Sequence, residues 1–239
     1  MNNSAMTQSG DPDQIRDTVF VVVPAYNEAA CVGRVVEQLR RVYPNVIVVD
    51  DGSSDETAAI ARGAGACVLR HAVNRGQGAA IQTGIEYALQ RGAEYVVTFD
   101  ADGQHDVADI RRLLEPIVRG RCDIALGSRF LGEALDLPAS RRILLQLGVL
   151  FTRLTSGARL TDTHNGLRAF RRRAAQKIEI TLDGMAHASE LIDQIARSGL
   201  AYMEVPVTIR YTEYSRAKGQ SSRGAVKIAL HYLLGRVLR

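Results

Sequence analysis

The sequence has 239 residues, 46% of them apolar and 23% charged, with 30 basic and 26 acidic side chains. This is an ordinary globular balance with ample chain for a packed core, and it excludes a low-complexity or repeat protein. Cys31, Cys67 and Cys122 are odd in number and widely spaced without metal-like pairing, which fits a reducing compartment and excludes a disulfide frame.

The small net charge hides an asymmetry. Residues 1–100 carry 8 basic and 12 acidic side chains, and residues 101–239 carry 22 and 14. The second half is where an anionic partner belongs: a phosphate, a nucleic acid or a lipid surface. Met1–Asp17 is polar, shows no secretory signal, and is expected to be a disordered tail. No run is long enough to span a membrane. The longest, Ile143–Thr152, has 10 uncharged residues between Arg142 and Arg153.

In chain order, Val19–Val23 is a continuous apolar strand closed by Pro24. Val32, Val35, Val36, Leu39 and Val42 then recur at helical spacing over Glu28–Val42. Val46–Val49 is a second buried strand ending in Asp50-Asp51-Gly52, after which Ser53 or Ser54 caps a helix reaching Ala64. Cys67–Leu69 is a short strand and Gly76–Arg91 a helix. Glycines in Asn74-Arg75-Gly76-Gln77-Gly78 permit close backbone approach, and a helix N-terminus there favours an anion. The next glycine is Gly84, too late for a dinucleotide fingerprint, and no P-loop occurs.

Tyr95–Phe99 is the central strand, and it stops at Asp100-Ala101-Asp102 with Gly103 as the turn. Alternating carboxylates at a strand end are costly to bury alone, and oxygen ligands on one short loop suit Mg²⁺ or Mn²⁺. An acidic solvated turn is the plain alternative. Asp106 caps a helix carrying Val107, Ile110, Leu113, Leu114 and Ile117, and Ile124–Leu126 is a fifth strand ending at Gly127-Ser128-Arg129. Arg129 can bind a diphosphate bidentately or pair with Asp100 or Asp102.

Ser140–Thr155 reads as a helix with Arg141 and Arg142 ahead of an apolar middle, fitting either a membrane surface or a core helix with a basic cap. Asp162–Phe170 is a loop with a short apolar end, His187–Ser198 a helix bearing Glu190, and Tyr202–Arg210 a strand around Pro206. Arg210, Arg216 and Lys218 crowd the basic stretch Tyr211–Arg223, and Ala225–Leu238 is an amphipathic helix. Strands alternate with helices through residue 127, which predicts a mostly parallel α/β sheet covered on both faces, with ligands outside the carboxyl ends of its strands. The expected divisions are the tail 1–17, a core 18–130 and an acceptor-side region 131–239.

PAYNE at Pro24–Glu28, VDDGSSDET at Val49–Thr57, NRGQGAAIQTG at Asn74–Gly84, DADGQH at Asp100–His105, GSR at Gly127–Arg129 and DTHNGLRAF at Asp162–Phe170 together resemble the family 2 glycosyltransferases of the GT-A fold. Within that family the chain is most similar to the dolichyl- or polyprenyl-phosphate sugar transferases. The resemblance implies a Rossmann-like core with a smaller C-terminal, membrane-proximal part. It implies that Pro24, Tyr26, Glu28, Val49 and Asp51 line the nucleotide-sugar site. Asp100, Ala101 and Asp102 would lie at the diphosphate and metal, with Gln104 a further ligand of Mg²⁺ or Mn²⁺. Arg129 and Lys218 would contact phosphates. The expected reaction is inverting transfer of a sugar from a GDP- or UDP-linked donor to polyprenyl phosphate, with Asp102 and Arg129 in catalytic roles and no nucleic-acid partner. A saccharide hydroxyl is the alternative acceptor, with Asp162 as its base, and a non-catalytic binding module the remaining one. The C-terminal spans common in the family are missing, so peripheral attachment to the inner, cytoplasmic face of a membrane is expected through Ser140–Thr155 and Ala225–Arg239.

Overall fold

The computed structural model of the protein describes residue 12 and residues 14–184 and 186–211. Lys218, Arg216 and the helix expected over Ala225–Leu238 lie outside the described residues, as do residues 1–11 of the tail.

Apolar β-branched runs form strands whose two faces are both covered. In β1 (Val19–Ala25), Val19, Val21 and Val23 enter one core while Val22 enters the other. β2 (Asn45–Asp50) repeats the pattern, with Val46 and Val48 on one side and Ile47 and Val49 on the other. The first core is closed by α1 (Val32–Arg40), α2 (Thr57–Gly63) and α4 (Ala108–Val118), through residues such as Val36, Leu39, Ile110 and Leu114. The second is closed by α3 (Gln77–Gln90), α6 (Arg172–Ala175) and α7 (His187–Arg197), through Ile81, Ile85, Ala175, Leu191 and Ile195. Full burial of each such aliphatic side chain contributes about 1.5–3 kcal/mol.

With β3 (Cys67–Arg70), β4 (Tyr95–Thr98), β5 (Ile124–Leu135), β6 (Arg168–Arg171) and β7 (Tyr202–Arg210), these strands make one seven-stranded sheet of order β3-β2-β1-β4-β6-β5-β7. All its pairings are parallel except those of β6, which runs against both β4 and β5. The mostly parallel α/β sheet read from the sequence is therefore the one observed. Because β6 is reversed, its first residue, Arg168, lies opposite Thr98 at the end of β4. The loop before β6 thus reaches the same rim as the turns after β1, β2 and β4.

Several local expectations are corrected. Pro24 does not close β1 but pairs with Val49 inside it. The β1–β4 ladder has ended by Val22, so the missing proline N–H faces no partner strand. α2 starts at Thr57, not at a serine cap. Asp55 Oδ1 accepts from Thr57 N (3.0 Å), and Ser53 Oγ instead accepts from Asn27 N (2.9 Å), tying the first two rim loops together. β5 does not stop at Leu126. It runs to Leu135 through a bulge in which Arg129–Gly132 stand opposite Val207 of β7. Of the expected tail, Arg16–Thr18 forms a 3-10 turn and Ile15 packs on the first core. α5 (Ala139–Ser156) is present and leaves Ile143, Leu147, Leu150 and Leu154 between 53% and 77% exposed along one stripe.

α3 lies unusually close to β1. A methyl group built on Gly84 comes within 2.2 Å of Val22 Cγ1, whereas one built on Gly63 meets nothing within 4 Å. Alanine gains about 1 kcal/mol over glycine within a helix, but overpacking costs about 1–3 kcal/mol. Gly84→Ala should therefore lower stability by roughly 1–2 kcal/mol in urea or thermal melts, with Gly63→Ala neutral or stabilising. Equal responses would contradict this packing.

Candidate functional site

The rim encloses a cleft of about 430 Å³ lined by Pro24, Tyr26, Glu28 and Asp51 and by the turn Asp100, Ala101, Asp102 and Gln104. Arg129, Arg141 and His164 also line it. Most residues singled out in the sequence thus share one cavity. Two do not line it. Val49 is wholly buried in the second core, because it alternates away from the rim in β2. Asp162 is buried behind Arg129. Lys218 lies outside the described residues.

Asp50 and Asp51 each have dedicated donors, as adjacent carboxylates require. Asp50 accepts from Ser53 N (3.1 Å) and pairs with Arg70 Nε (3.1 Å). Asp51 Oδ1 accepts from His71 Nδ1 (2.7 Å) and Arg75 N (3.0 Å), and its Oδ2 from Gly76 N (2.6 Å). With Nδ1 donating, His71 Nε2 accepts from Thr83 Oγ1 (3.0 Å). Asp51 therefore shapes the loop that contributes Asn74, Gly76 and Gln77 to the cleft.

That loop is not the anion cradle its glycines suggested. The amides of Gly78 and Ala79, at the start of α3, donate to Asp183 O at 2.7 and 3.3 Å. A methyl group on Gly76, whose φ is +109°, would strike the same carbonyl at 2.5 Å. The glycines serve a close backbone packing. Glu190 holds the packed segment in place, its carboxylate accepting from Thr181 Oγ1 (2.8 Å) and Leu182 N (2.8 Å).

Asp100 is clamped from both sides. Gln77 Nε2 donates to its Oδ1 (3.1 Å) and His105 Nε2 to its Oδ2 (2.9 Å). The His105 ring meets Phe99 edge-on at 5.2 Å. Gly166 lies beneath, where a methyl group would fall 2.1 Å from Asp100 Oδ2. Burial alone would raise the Asp100 carboxyl, but the His105 bond and the neighbouring Arg168 outweigh it and hold it below the usual range. Asp102 receives less help. Burial, then the charge of Asp100, push it up to about 6, against one bond from Gln104 N (3.0 Å).

Asp100, Asp102 and the Gln104 amide form an oxygen-donor set crowded with negative charge, which suits Mg²⁺ or Mn²⁺. Among the described residues no group of three or more His, Cys, Asp or Glu side chains is placed to hold a metal ion by itself. An open set of this kind leaves coordination positions for phosphate oxygens.

Arg129 is sunk into the protein at 6% exposure by the β5 bulge. Its partner is neither Asp100 nor Asp102 but Asp162, whose Oδ2 accepts from Arg129 Nε (2.6 Å) and Arg129 N (3.1 Å). Nη1 donates to the Tyr211 hydroxyl (2.6 Å) and Nη2 to His164 O (2.8 Å). Glu204 of β7 in turn accepts from Thr161 N (2.9 Å) and Asp162 N (3.0 Å). Asp162 is held as the counter-ion of Arg129 and does not line the cleft. Neither Gln77 as a clamp nor Tyr211 has a local sequence signature, because their partners are far away in the chain. His105 stood inside a recognised motif without a role.

A model of the family described as Glycosyl transferase family 2 matches residues 20–179. The UDP-N-acetylglucosamine–dolichyl-phosphate N-acetylglucosaminyltransferase of Methanococcus voltae is 33% identical over 92% of this chain and 98% of its own. The polyprenol monophosphomannose synthase of Mycolicibacterium smegmatis is 31% identical over 96% and 93%. Among solved structures, glucosyl-3-phosphoglycerate synthase from Mycobacterium tuberculosis, in complex with Mn²⁺ and UDP-glucose, shares the fold. Its TM-score is 0.72 at 19% identity, over 98% of this chain and 84% of that one.

His187 is buried beside Arg168 and Asp100. Burial, then the charge of Arg168, lower it to about 4, and its Nδ1 donates to Gly184 O (2.9 Å). Between about pH 4 and 6.5 the native state therefore binds fewer protons than the unfolded chain, so stability falls as pH drops through that window. His187→Asn should flatten the acid limb of unfolding curves by up to about 1.4 kcal/mol per pH unit. An unaltered limb would contradict the burial of a neutral imidazole.

Proposed function

This chain belongs to glycosyl transferase family 2, and we propose that it transfers a sugar from a nucleoside diphosphate sugar to the phosphate of a polyprenyl lipid. The observation that carries the reading is the layout of one cleft. The acidic turn and Arg141 line the same cavity, and Arg141 stands in the first turn of α5, whose opposite face carries the exposed apolar stripe. The nucleoside end is assigned to Pro24, Tyr26, Glu28 and Asp51, and the diphosphate to the turn Asp100–Gln104. The acceptor phosphate is assigned to Arg141, and Ile143, Leu147 and Leu150, exposed on the opposite face of α5, are assigned to the membrane surface that carries the lipid. Arg142 and Arg153 flank the stripe and suit an anionic, cytoplasmic membrane face.

A phosphate oxygen of the acceptor forms its bond to the anomeric carbon as the bond to the diphosphate oxygen breaks. The electron pair leaves with the nucleoside diphosphate, and attack from the opposite side inverts the centre. The acceptor is already anionic, so no base is required, consistent with Asp162 being locked to Arg129. A saccharide hydroxyl would need a base, which makes it the weaker reading. Asp102, Gln104 and Asp100 are proposed to hold Mg²⁺ or Mn²⁺, which when bound offsets the charge of the diphosphate. The Mn²⁺ and UDP-glucose bound by the M. tuberculosis enzyme support that assignment. Arg129, its charge matched by Asp162, holds His164 O and the Tyr211 hydroxyl in place at the cleft, and Lys218 is proposed to contact a phosphate.

The full chain, supplied with Mn²⁺, labelled UDP-N-acetylglucosamine or GDP-mannose, and polyprenyl phosphate in anionic vesicles, should move label into the organic phase. Asp102→Ala should lower turnover by about a thousandfold or more. Leu147→Glu with Leu150→Glu should reduce transfer to the vesicle-borne lipid far more than to soluble farnesyl phosphate. Label appearing only on soluble glycans would overturn the lipid acceptor.

A further inference from the structure

The residue that directly follows β7, Tyr211, touches both arginines of the cleft. It is 2% exposed, and its amide donates to Leu135 O (3.1 Å). Its hydroxyl accepts from Arg129 Nη1 (2.6 Å), and the Arg141 guanidinium carbon lies 5.2 Å from the centre of its ring. The two cations are held in different ways. Arg129 is neutralised by Asp162 at 2.6 Å. Among the described residues Arg141 pairs with no carboxylate, and it lines the cavity from the first turn of α5.

We infer that Tyr211 is a positioning residue for the acceptor phosphate: its ring holds the Arg141 guanidinium against the cavity wall, and its hydroxyl fixes the ring to Arg129. The choice of an aromatic partner has a physical consequence. A carboxylate under Arg141 would occupy its N–H edge and cancel its charge, so an incoming phosphate would have to displace it. An aromatic face orients the guanidinium by cation–π attraction and leaves the in-plane N–H donors and the full charge available. The buried pair Arg129–Asp162 supplies the rigid post to which the ring is tied, and Glu204 steadies that post through Thr161 and Asp162. This assignment rests on the acceptor-phosphate reading of the cleft.

The test uses the full chain with farnesyl phosphate as a soluble acceptor, its affinity measured by calorimetry and its KM in the transfer reaction. Tyr211→Leu removes ring and hydroxyl, whereas Tyr211→Phe removes the hydroxyl alone. Tyr211→Leu should weaken farnesyl phosphate binding and raise its KM about tenfold, with nucleotide affinity moving less than about twofold. Tyr211→Phe should keep the acceptor affinity within about twofold even if its melting temperature falls. In an Arg141→Ala background, Tyr211→Leu should add less than about twofold. The inference is overturned if Phe loses as much as Leu, if nucleotide binding falls in parallel, or if the losses at Tyr211 and Arg141 simply multiply. Failure of the wild-type chain to bind farnesyl phosphate would instead remove the acceptor reading itself, and Tyr211's role with it.

Discussion

Like charges brought together in a confined, poorly hydrated space are the constraint on which this site depends. Asp100 and Asp102 end the central strand two residues apart in one cleft, and their surroundings answer the repulsion unequally. Asp100 has two side-chain donors and a nearby buried arginine, so it remains ionised. Asp102 has a single backbone donor and is driven up to about 6. A divalent cation bound there would relieve that repulsion and leave coordination positions open to phosphate oxygens. The rest of the rim is organised around this difference between two neighbouring carboxylates.

Positive charge is distributed in the complementary way. Arg129 is buried and locked to Asp162, and it contributes rigidity rather than free charge. Arg141 stands at the cavity wall over an aromatic ring, with its charge available. The antiparallel strand β6 makes the arrangement possible, because it brings Asp162–Arg168 to the rim that the parallel strands already share. The β5 bulge then turns Arg129 inward from a strand that continues past it. A sheet of seven strands and one reversal thereby places the acidic turn and two arginines, Arg129 and Arg141, in one cavity.

Much of this was legible in the sequence, and for physical reasons. Two-sided burial makes parallel strands read as unbroken apolar runs, so Val19–Val23 and Val46–Val49 were visible without ambiguity. Carboxylates at strand ends are too costly to be filler, which made Asp51, Asp100 and Asp102 stand out, and all three reach the cleft. What failed depended on tertiary partners. Gly76 and Gly78 looked like a phosphate loop because the sequence does not reveal that Asp51 takes the Gly76 amide and Asp183 O the Gly78 amide. Val49 sits in a recognised motif, but the two-residue strand period points it into the core. Asp162 resembled a base until Arg129 was found 2.6 Å away, 33 residues distant in the chain. Tyr211 had no local signature, since its value lies in contacts with residues 82 and 70 positions earlier, Arg129 and Arg141.

The central claim is that the acidic turn binds nucleotide through a shared cation. It is tested most directly by titrating UDP and GDP into the full chain by calorimetry, with Mn²⁺ and again with EDTA. One of the two nucleotides is predicted to bind at least tenfold more tightly with Mn²⁺, and Asp102→Asn is predicted to erase the difference. Equal affinities with and without the metal, in the wild-type chain, would contradict the account.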